Sequence, residues 1–543
     1  MTATDATDPA VEETAPQGLL RASAIVGVGT ALSRITGFLR VAAIAYALGA
    51  AALAGTYSYA NETPNMLYEL LLGGVLTATL VPQFVRHVER EDKEAISAIF
   101  TIAMVALVFV SVLGVLLAPA IVELFTLRVE GGDKAAQQEV ATTLVRLFMP
   151  QMLFYGFIAL ATAVLNAHRR FAAAAFAPIL NNVVVIAIFV SLPRLVDGPI
   201  TLERVRGDNA LLLTLGLGTT AGIAAVAFVL VPALVLAGVH LRPRFDWRHH
   251  AVITMARLSG WTVGYVIANQ IALWIVLVLA NSTDGGPFVY LSAYAFFQLP
   301  HGLLAVSLMT TTAPEMASAA TRGDLDGLRR RLSDGLRLTT VVILPCAAAL
   351  VALARPTVVA LLQRGAFDAS DAALVAETVA GFAVGLVFFS SYLFGLRAFY
   401  SLHDTRTPFL LNCAENALNL VLAVPLYAWL GIPGLALAFS GAYAGASLLT
   451  LVALHRRIGG VDGRRLADTT GRALLPALAA ALAGWGVAEA LGWSGPAEAI
   501  LTTVVGLVAV GSVYLAGIVA FRLPELTELL ALVPTRTRRE APT

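Results

Sequence analysis

The sequence predicts an all-α protein that crosses a membrane about fourteen times. Hydrophobic residues make up 58% of its 543 residues and charged residues only 13%, and the mean hydropathy is +0.79. A soluble domain needs a more polar surface than this composition can provide. Apolar stretches of about 20 residues, the length with which an α-helix crosses a bilayer core, recur from residue 19 almost to the end.

Fourteen spans follow one another with short connections. Their predicted cores are 20 to 50, 55 to 82, 96 to 126, 140 to 165, 172 to 193, 210 to 238, 251 to 281, 287 to 318, 333 to 354, 371 to 400, 408 to 430, 433 to 454, 470 to 491 and 498 to 521. With a cytoplasmic N-terminus, the cytoplasmic loops hold 17 Lys and Arg residues and the opposite loops hold seven. The positive-inside rule therefore predicts a protein of the plasma (inner) membrane with both termini in the cytoplasm.

An internal duplication divides the chain. VPQFVRHVERED (81 to 92) matches APEMASAATRGD (313 to 324), with Pro82 and Pro314 separated by 232 residues. A second match aligns Pro178 with Pro408 and Asn182 with Asn412, at an offset of 230. The alternative is that short Pro-centred matches arise by chance in a biased sequence. The matches favour two six-helix lobes related as parallel repeats, the arrangement of many transporters that carry substrate between lobes.

The predicted domains follow from this division. A disordered cytoplasmic tail covers residues 1–18, the N-terminal lobe 19–245, the C-terminal lobe 246–460, helices 13 and 14 residues 461–522, and a cytoplasmic tail 523–543. The first tail is acidic and contains proline, unlike a signal peptide.

The first span carries two arginines where lipid would disfavour them. Ser33, Arg34 and Arg40 lie in SRITGFLR, and a planar guanidinium with five donors suits an oxyanion such as phosphate. Six residues correspond to about 240° on a straight helix, so both arginines reach one cavity only if Gly37 acts as a hinge. The alternative is that both side chains extend to the cytoplasmic face.

The second span is also unusually polar. Glu62, Asn65 and Glu69 lie around Pro64, which removes a backbone donor from the helix. A bent helix lining a wet cavity is one interpretation, with Asn65 as a substrate ligand, Glu62 and Glu69 as coupling acids and Pro64 as a hinge. Helix packing through Gly73 and Gly74 is the other.

Span 11 places four polar residues on one helical face. Asn412, Glu415, Asn416 and Asn419 recur at i, i+3, i+4 and i+7. A carboxylate with amide oxygens could bind Na⁺, or Glu415 could carry a proton. The alternative, which we weight more heavily, is a hydrogen-bonded polar seam between helices.

Several function classes lack their motifs. The sequence has no P-loop, no HExxH and no long loop for a catalytic domain, so we predict a transporter rather than an enzyme, without a cofactor other than a coupling Na⁺ or H⁺. Cys346 and Cys413 are two isolated thiols with no metal-ligand spacing. A net charge of +1 offers no footprint for nucleic acid.

The motifs resemble those of the MviN/MurJ lipid II flippases, within the multidrug/oligosaccharidyl-lipid/polysaccharide exporter superfamily. The resemblance rests on six motifs that occur in the family's order: SRITGFLR (33 to 40), ETPNMLYELLLGGVLTATLVPQF (62 to 84), AVLNAHRRFAAAAFAPILNN (163 to 182), LPHGLLAVSLMTTTAPEMA (299 to 317), LLQRGAFDASD (361 to 371) and AFYSLHDTRTPF (398 to 409). Within the second motif, YELLLGGVLT looks like the actinobacterial branch of the family. It implies fourteen helices and translocation of the undecaprenyl-diphosphate-linked peptidoglycan precursor by alternating access, for cell wall biosynthesis. It also implies substrate contacts at Ser33, Arg34 and Arg40, and a groove for the lipid tail at spans 13 and 14. Implied partners are this precursor, membrane lipids and proteins of wall synthesis or division.

The chain departs from the family pattern at three positions. It has Gly55 where better-known members carry an acid, and Tyr68 and Ala295 where they carry arginines. Two other functions stay open. One is a cation-coupled drug or organic-cation antiporter of the same superfamily, which Glu62 and Glu69 would serve, and the other is a membrane scaffold for wall synthesis that transports nothing. A polyprenyl-phosphate transferase fits worst, because no long loop carries acidic metal ligands.

Overall fold

A computed structural model describes residues 14–73, 93–130, 133–168, 170–239, 242–246 and 260–525. In the first half of the chain the helices are α1 (Thr14–Leu48), α2 (Ala52–Tyr68), α3 (Lys93–Phe125), α4 (Asp133–Phe148), α5 (Gln151–Ala167), α6 (Phe171–Leu195), α7 (Leu202–Gly207) and α8 (Asn209–Leu236). A π-helical segment, Glu69–Gly73, continues α2.

The remaining helices lie in the second half of the chain. Its helices are α9 (Gly260–Ala280), α10 (Gly286–Pro300), α11 (Val306–Thr321), α12 (Leu325–Ala352), α13 (Ala354–Leu362), α14 (Ala369–Val384), α15 (Leu386–Ser401), α16 (Arg406–Leu430), α17 (Ile432–Ile458), α18 (Gly463–Leu491) and α19 (Pro496–Ala520). The π-helical segment His301–Ala305 separates α10 from α11.

The described helices confirm the predicted all-α membrane fold. Twelve of the described spans are long and apolar enough to cross a bilayer, and a thirteenth is formed if α14 and α15, bent by 45° at Gly385, count as one. The predicted second span, 55 to 82, is described only as far as residue 73. The chain is a multi-pass membrane protein.

The first of two compact units contains residues 1–47, 59–124 and 131–266. Within it α8 packs against α4, α5 and α6. Small residues allow this: a Cβ on Gly216 would lie 2.3 Å from Leu147 Cδ1, and one on Gly222 would lie 2.6 Å from Asn181 Oδ1. Close helix packing through glycine is a common way to associate helices in a membrane, where the hydrophobic effect cannot drive it.

The second unit contains residues 48–58, 125–130 and 267–543. Here α12 and α17 are central, and α18 and α19 form a hairpin that packs on α12 and α13. Aromatic rings fill the core between α10, α14, α15 and α17. Phe297 has its ring centroid 5.1 Å from that of Phe389 and 5.5 Å from that of Phe439, and both pairs meet edge to face.

Two short segments of the predicted N-terminal lobe belong to this second unit, because backbone contacts hold them there. The N–H of Ala50 donates to Asp371 Oδ2 at 3.0 Å, and Asn281 Nδ2 donates to the carbonyl of Phe125 at 3.1 Å. Gly285, at φ +67°, approaches the Ala50 carbonyl so closely that a Cβ there would lie 1.7 Å from the oxygen. The lobe boundaries predicted from the sequence therefore do not coincide with the compact units at residues 48–58 and 125–130.

The spacing of the helices agrees with the spacing of the sequence matches. Glu69–Gly73 and His301–Ala305 are 232 residues apart, and so are the first residues of α3 and α12 and the last residues of α1 and α9. Pro82 and Pro314 have the same separation, although Pro82 itself lies outside the described residues. A π-helical segment is rare, and its recurrence at one offset supports the predicted repeat.

The predicted tails are described only in part. Residues 1–13 and 526–543 lie outside the described ranges, and α1 begins at Thr14, so residues 14–18 of the predicted disordered tail are helical.

Candidate substrate and coupling sites

The motif SRITGFLR lies in the middle of α1, which is α-helical without a break through Gly37. Arg34 and Arg40 are both partly buried and, at six residues' separation, lie on different faces of the helix. Because the helix is continuous, the structure does not bring the two guanidinium groups to one face. A hinge at Gly37 stays a prediction.

Arg34 holds an unused donor. Its Nε is buried and has no hydrogen-bond partner among the described residues. A buried donor without a partner costs free energy, about 1–3 kcal/mol and more when the group is charged. Such a donor favours a ligand that can accept a hydrogen bond, and an oxyanion is the best acceptor for a guanidinium.

An asparagine fixes the face that α1 presents. Asn182, on α6 and almost fully buried, donates from Nδ2 to Thr36 Oγ1 at 2.9 Å and to the carbonyl of Ser33 at 3.2 Å. The two helices are close here, since a Cβ on Gly29 would lie 2.7 Å from Ala175 Cβ. In the sequence Asn182 is notable only for its alignment with Asn412, and this contact with α1 was not predicted.

Glu62 and Asn65 are paired on α2. Asn65 Nδ2 donates to Glu62 Oε1 at 2.8 Å, and Glu62 also interacts electrostatically with Arg40 of α1 and with Glu69. Within the α1 motif, Arg34 is the arginine whose buried Nε has no hydrogen-bond partner among the described residues.

The second span is distorted beyond Pro64, as its composition indicates. Pro64 lies inside α2, and the helix widens into the π-helical segment that begins at Glu69. Segments of this kind are frequent at functional sites. Whether Pro64 acts as a hinge stays a prediction.

In the second unit the four polar residues of α16 are buried on one face, and they form a seam with α9. Asn269 Oδ1 accepts from Asn412 Nδ2 at 2.9 Å and from Asn416 Nδ2 at 3.0 Å. A seam was the favoured prediction for this face, but Asn269 was not predicted as its partner. The two asparagines aligned by the sequence matches thus both join helices: Asn182 joins α6 to α1, and Asn412 joins α16 to α9.

The seam leaves several acceptors unused. Asn412 Oδ1, Glu415 Oε2 and Asn419 Oδ1 are buried without hydrogen-bond partners in the described part of the chain, and so is Gln270 Oε1 on α9. Buried oxygens that lack donors are what a hard cation such as Na⁺ requires. No cluster of three or more His, Cys, Asp or Glu residues suited to a metal occurs within the described ranges.

The three residues that depart from the family pattern, Gly55, Tyr68 and Ala295, lie in different environments. Gly55 faces the turn before α10, where a Cβ would lie 3.1 Å from Gly285 Cα and 3.2 Å from Pro287 Cδ, so that any longer side chain would force this turn away. Tyr68 packs on Tyr155 with ring centroids 5.7 Å apart. Ala295 is partly buried on α10.

Comparison with known proteins decides the family. The sequence model of the family described as Lipid II flippase MurJ matches residues 44–502. The chain belongs to the MurJ family. This family consists of transporters and not of enzymes, which confirms the prediction from the missing catalytic motifs.

Relatives in the MurJ family and its fold neighbours agree with this. A probable lipid II flippase MurJ of Vibrio cholerae serotype O1 is 28% identical over 440 residues, which cover 79% of this chain and 81% of the relative. A structure of lipid II flippase MurJ in an inward closed conformation has a TM-score of 0.73 at 19% identity, covering 92% of this chain and 98% of that one. An inward-facing multidrug resistance MATE transporter of the MOP superfamily has a TM-score of 0.64 at 13% identity and covers 80% of this chain and 96% of that one, so it shares the fold.

Proposed function

We propose that this chain translocates lipid II, the undecaprenyl-diphosphate-linked peptidoglycan precursor, across the plasma membrane by alternating access. Arg34 is the main ligand of the diphosphate, and Ser33, Arg40 and Asn65 line the same path. The observation that carries the proposal is the buried Arg34 Nε, which has no hydrogen-bond partner among the described residues, on a helix that Asn182 of α6 holds at Ser33 and Thr36. Membership of the MurJ family supports lipid II as the substrate.

Burial explains why a diphosphate suits Arg34. Away from bulk water, a guanidinium gains more from a doubly charged acceptor, because the effective dielectric constant is lower there. The undecaprenyl tail stays in lipid or in a groove at α18 and α19, whose lipid-facing surface carries exposed apolar side chains including Leu478 and Leu482.

The direct test is depletion of the chain in its own cell. We expect lipid-linked disaccharide-pentapeptide to collect in the inner leaflet, and we expect the chain to restore growth to a bacterium depleted of its own flippase. Normal precursor exposure after depletion would contradict the proposal. Export of cationic dyes by cells that express the chain would point to the antiporter, and rescue by an Arg34, Arg40 double-alanine variant would point to the scaffold.

The unused oxygens on α16 support coupling of translocation to a cation. We propose that Glu415, Asn412 and Asn419 bind Na⁺, and that Glu62 and Glu69 are a second place where protonation is coupled to transport. The seam partner Asn269 holds Asn412 and Asn416 in register for this role.

Na⁺ coupling predicts a specific loss in one variant. In proteoliposomes at constant ionic strength, replacement of choline by Na⁺ is expected to accelerate translocation of a fluorescent lipid II analogue, and Glu415→Gln is expected to remove this acceleration because the ion loses its only charged ligand in the cluster. The matched control is Cys413→Ala on the same helix, which should keep it. Equal rates in Na⁺ and choline with a steep dependence on pH would assign Glu415 to a proton instead.

A further inference from the structure

We infer that a polar cavity between α12, α18 and the residues after α19 binds the headgroup of a phosphoethanolamine phospholipid. The cavity has a volume of about 340 Å³, and its polar lining includes Arg337, Glu525, Thr469, Arg465 and Arg472. It lies wholly within the second unit and shares no residue with the sites on α1, α2 and α16. Its position in the fold is where the α18–α19 hairpin begins and ends.

The floor of the cavity is a buried ion pair. Arg337 is 8% exposed and Glu525 only 1%, and Arg337 Nε lies 3.2 Å from Glu525 Oε1. Arg337 also donates to Asp334 Oδ1, one turn earlier on α12, and Thr469 Oγ1 donates to Glu525 Oε1 at 2.9 Å. Oε1 of Glu525 is thus contacted from two helices, by Arg337 of α12 and by Thr469 of α18.

The other oxygen of Glu525 receives none. Its Oε2 is buried and has no hydrogen-bond partner in the described chain. A buried carboxylate oxygen without a donor is unfavourable, and the residue lines the cavity. The cavity therefore contains a fixed acceptor suited to an ammonium group that carries N–H donors.

Guanidinium groups at the rim complement this acceptor. Arg465 has a side chain 73% exposed and lies 3.7 Å from Asp462 Oδ2, while Arg472 has a side chain 49% exposed and lies 3.1 Å from Asp468 Oδ1. Each guanidinium has five N–H donors, and one acid contact uses only some of them. Both arginines can therefore still donate to a ligand. A phosphate is the group that such a pair recognises best.

The charge balance of the cavity selects a zwitterion. Three arginines (Arg337, Arg465, Arg472) face three acids (Asp334, Asp468, Glu525), so the lining gives a purely anionic ligand no net attraction. A phosphoethanolamine headgroup carries both an ammonium for Glu525 and a phosphate for Arg465 and Arg472. Phosphocholine has the same charges but no N–H, and so it cannot donate to Oε2.

The surroundings favour a lipid as the source of this headgroup. The cavity is at the first turns of α18 and just past the end of α19, the ends of a membrane-spanning hairpin. From there Leu474 and Leu475 continue along α18 with exposed side chains, which offers a surface to acyl chains. A headgroup bound in the cavity would then have its tails against α18.

Native mass spectrometry of the purified, delipidated chain tests this. Titration with palmitoyl-oleoyl phosphatidylethanolamine is expected to give one lipid retained per chain, with phosphatidylcholine and phosphatidylglycerol retained at least about tenfold more weakly. Glu525→Gln and Arg465→Ala are each expected to weaken phosphatidylethanolamine about tenfold. Arg464→Ala is the matched control, since Arg464 is exposed in the same turn and does not line the cavity.

Two results would overturn the inference. One is equal retention of the three lipids, which would mean that the cavity holds water and the lipid binds elsewhere. The other is an Arg465→Ala variant that behaves like Arg464→Ala. A competition arm with free phosphoethanolamine separates the sources: displacement by the soluble compound at equal concentration would show that the tails add nothing and would remove the lipid assignment.

Discussion

Bacteria depleted of their own flippase and supplied with the Arg34→Ala variant are expected to stop growing and to accumulate lipid-linked precursor. The change removes the guanidinium of the α1 motif whose buried Nε has no hydrogen-bond partner among the described residues. A hydrogen bond to a charged group contributes about 1.5–3 kcal/mol, so substrate affinity should fall by roughly 10- to 150-fold. Arg34→Lys keeps the charge but loses the planar donor set, and a partial defect is expected.

The control for this experiment is Arg146→Ala. Arg146 is another arginine of the first unit, in the last turn of α4, but its side chain is exposed. It should support normal growth at the same expression level. If Arg34→Ala and Arg146→Ala both grew normally, Arg34 would not be the diphosphate ligand.

The substitution Gly285→Ala is expected to abolish accumulation of folded protein. Gly285 has φ +67°, which costs a residue with a Cβ about 1–2 kcal/mol. In addition the new Cβ would lie 1.7 Å from the Ala50 carbonyl oxygen, which is backbone and cannot rotate away. Forcing atoms into a packed interior costs about 1–3 kcal/mol or more, so the sum is a large part of the stability of most domains. Fluorescence-detected size-exclusion chromatography of the detergent extract measures the loss.

Gly323→Ala separates strain from collision. Gly323 has nearly the same backbone angle, φ +69°, but a Cβ there meets nothing within 4 Å. This substitution should lower the free energy of unfolding by about 1–2 kcal/mol and leave the protein folded. Equal elution profiles for the two variants would mean that the 48–58 segment does not pack against Gly285 as described.

The fold class follows from composition alone, because every membrane span must satisfy its own backbone hydrogen bonds and therefore is a long apolar helix. The polar face of α16 was also predictable, since Asn412, Glu415, Asn416 and Asn419 repeat at helical spacing and all four are buried. The residue that binds this face was not predictable. Asn269 lies beside Gln270 in an otherwise apolar stretch, 143 residues from Asn412, and no local pattern joins it to Asn412.

Contacts between distant segments account for the other omissions. Asn182 and Ser33 are 149 residues apart, and Asn182 drew attention only because it aligns with Asn412. Glu525 follows the last span, where an acid suggests only a solvated tail, yet it is buried against Arg337 of α12. Sequence periodicity predicts which residues share one face of a helix. The residue that contacts this face depends on how distant helices pack, and a local pattern does not contain that information.

The relation of Arg34 to Arg40 shows a different limit. The sequence gives both as equal candidates for one diphosphate. In the structure Glu62 interacts electrostatically with Arg40, while the Nε of Arg34 has no hydrogen-bond partner among the described residues. Which arginine has an acid nearby depends on the approach of α2 to α1, and that distance is absent from the sequence pattern of either span.

The central claim is that the free guanidinium of Arg34 binds the diphosphate, and equilibrium binding tests it most directly. Lipid II affinity should be measured for the purified chain in nanodiscs, for Arg34→Ala and for Arg146→Ala, with undecaprenol as the ligand that lacks a diphosphate. We predict that Arg34→Ala weakens lipid II roughly 10- to 150-fold, that Arg146→Ala leaves it unchanged, and that undecaprenol binds all three proteins equally. Equal lipid II affinity in the wild-type chain and in Arg34→Ala would contradict the account.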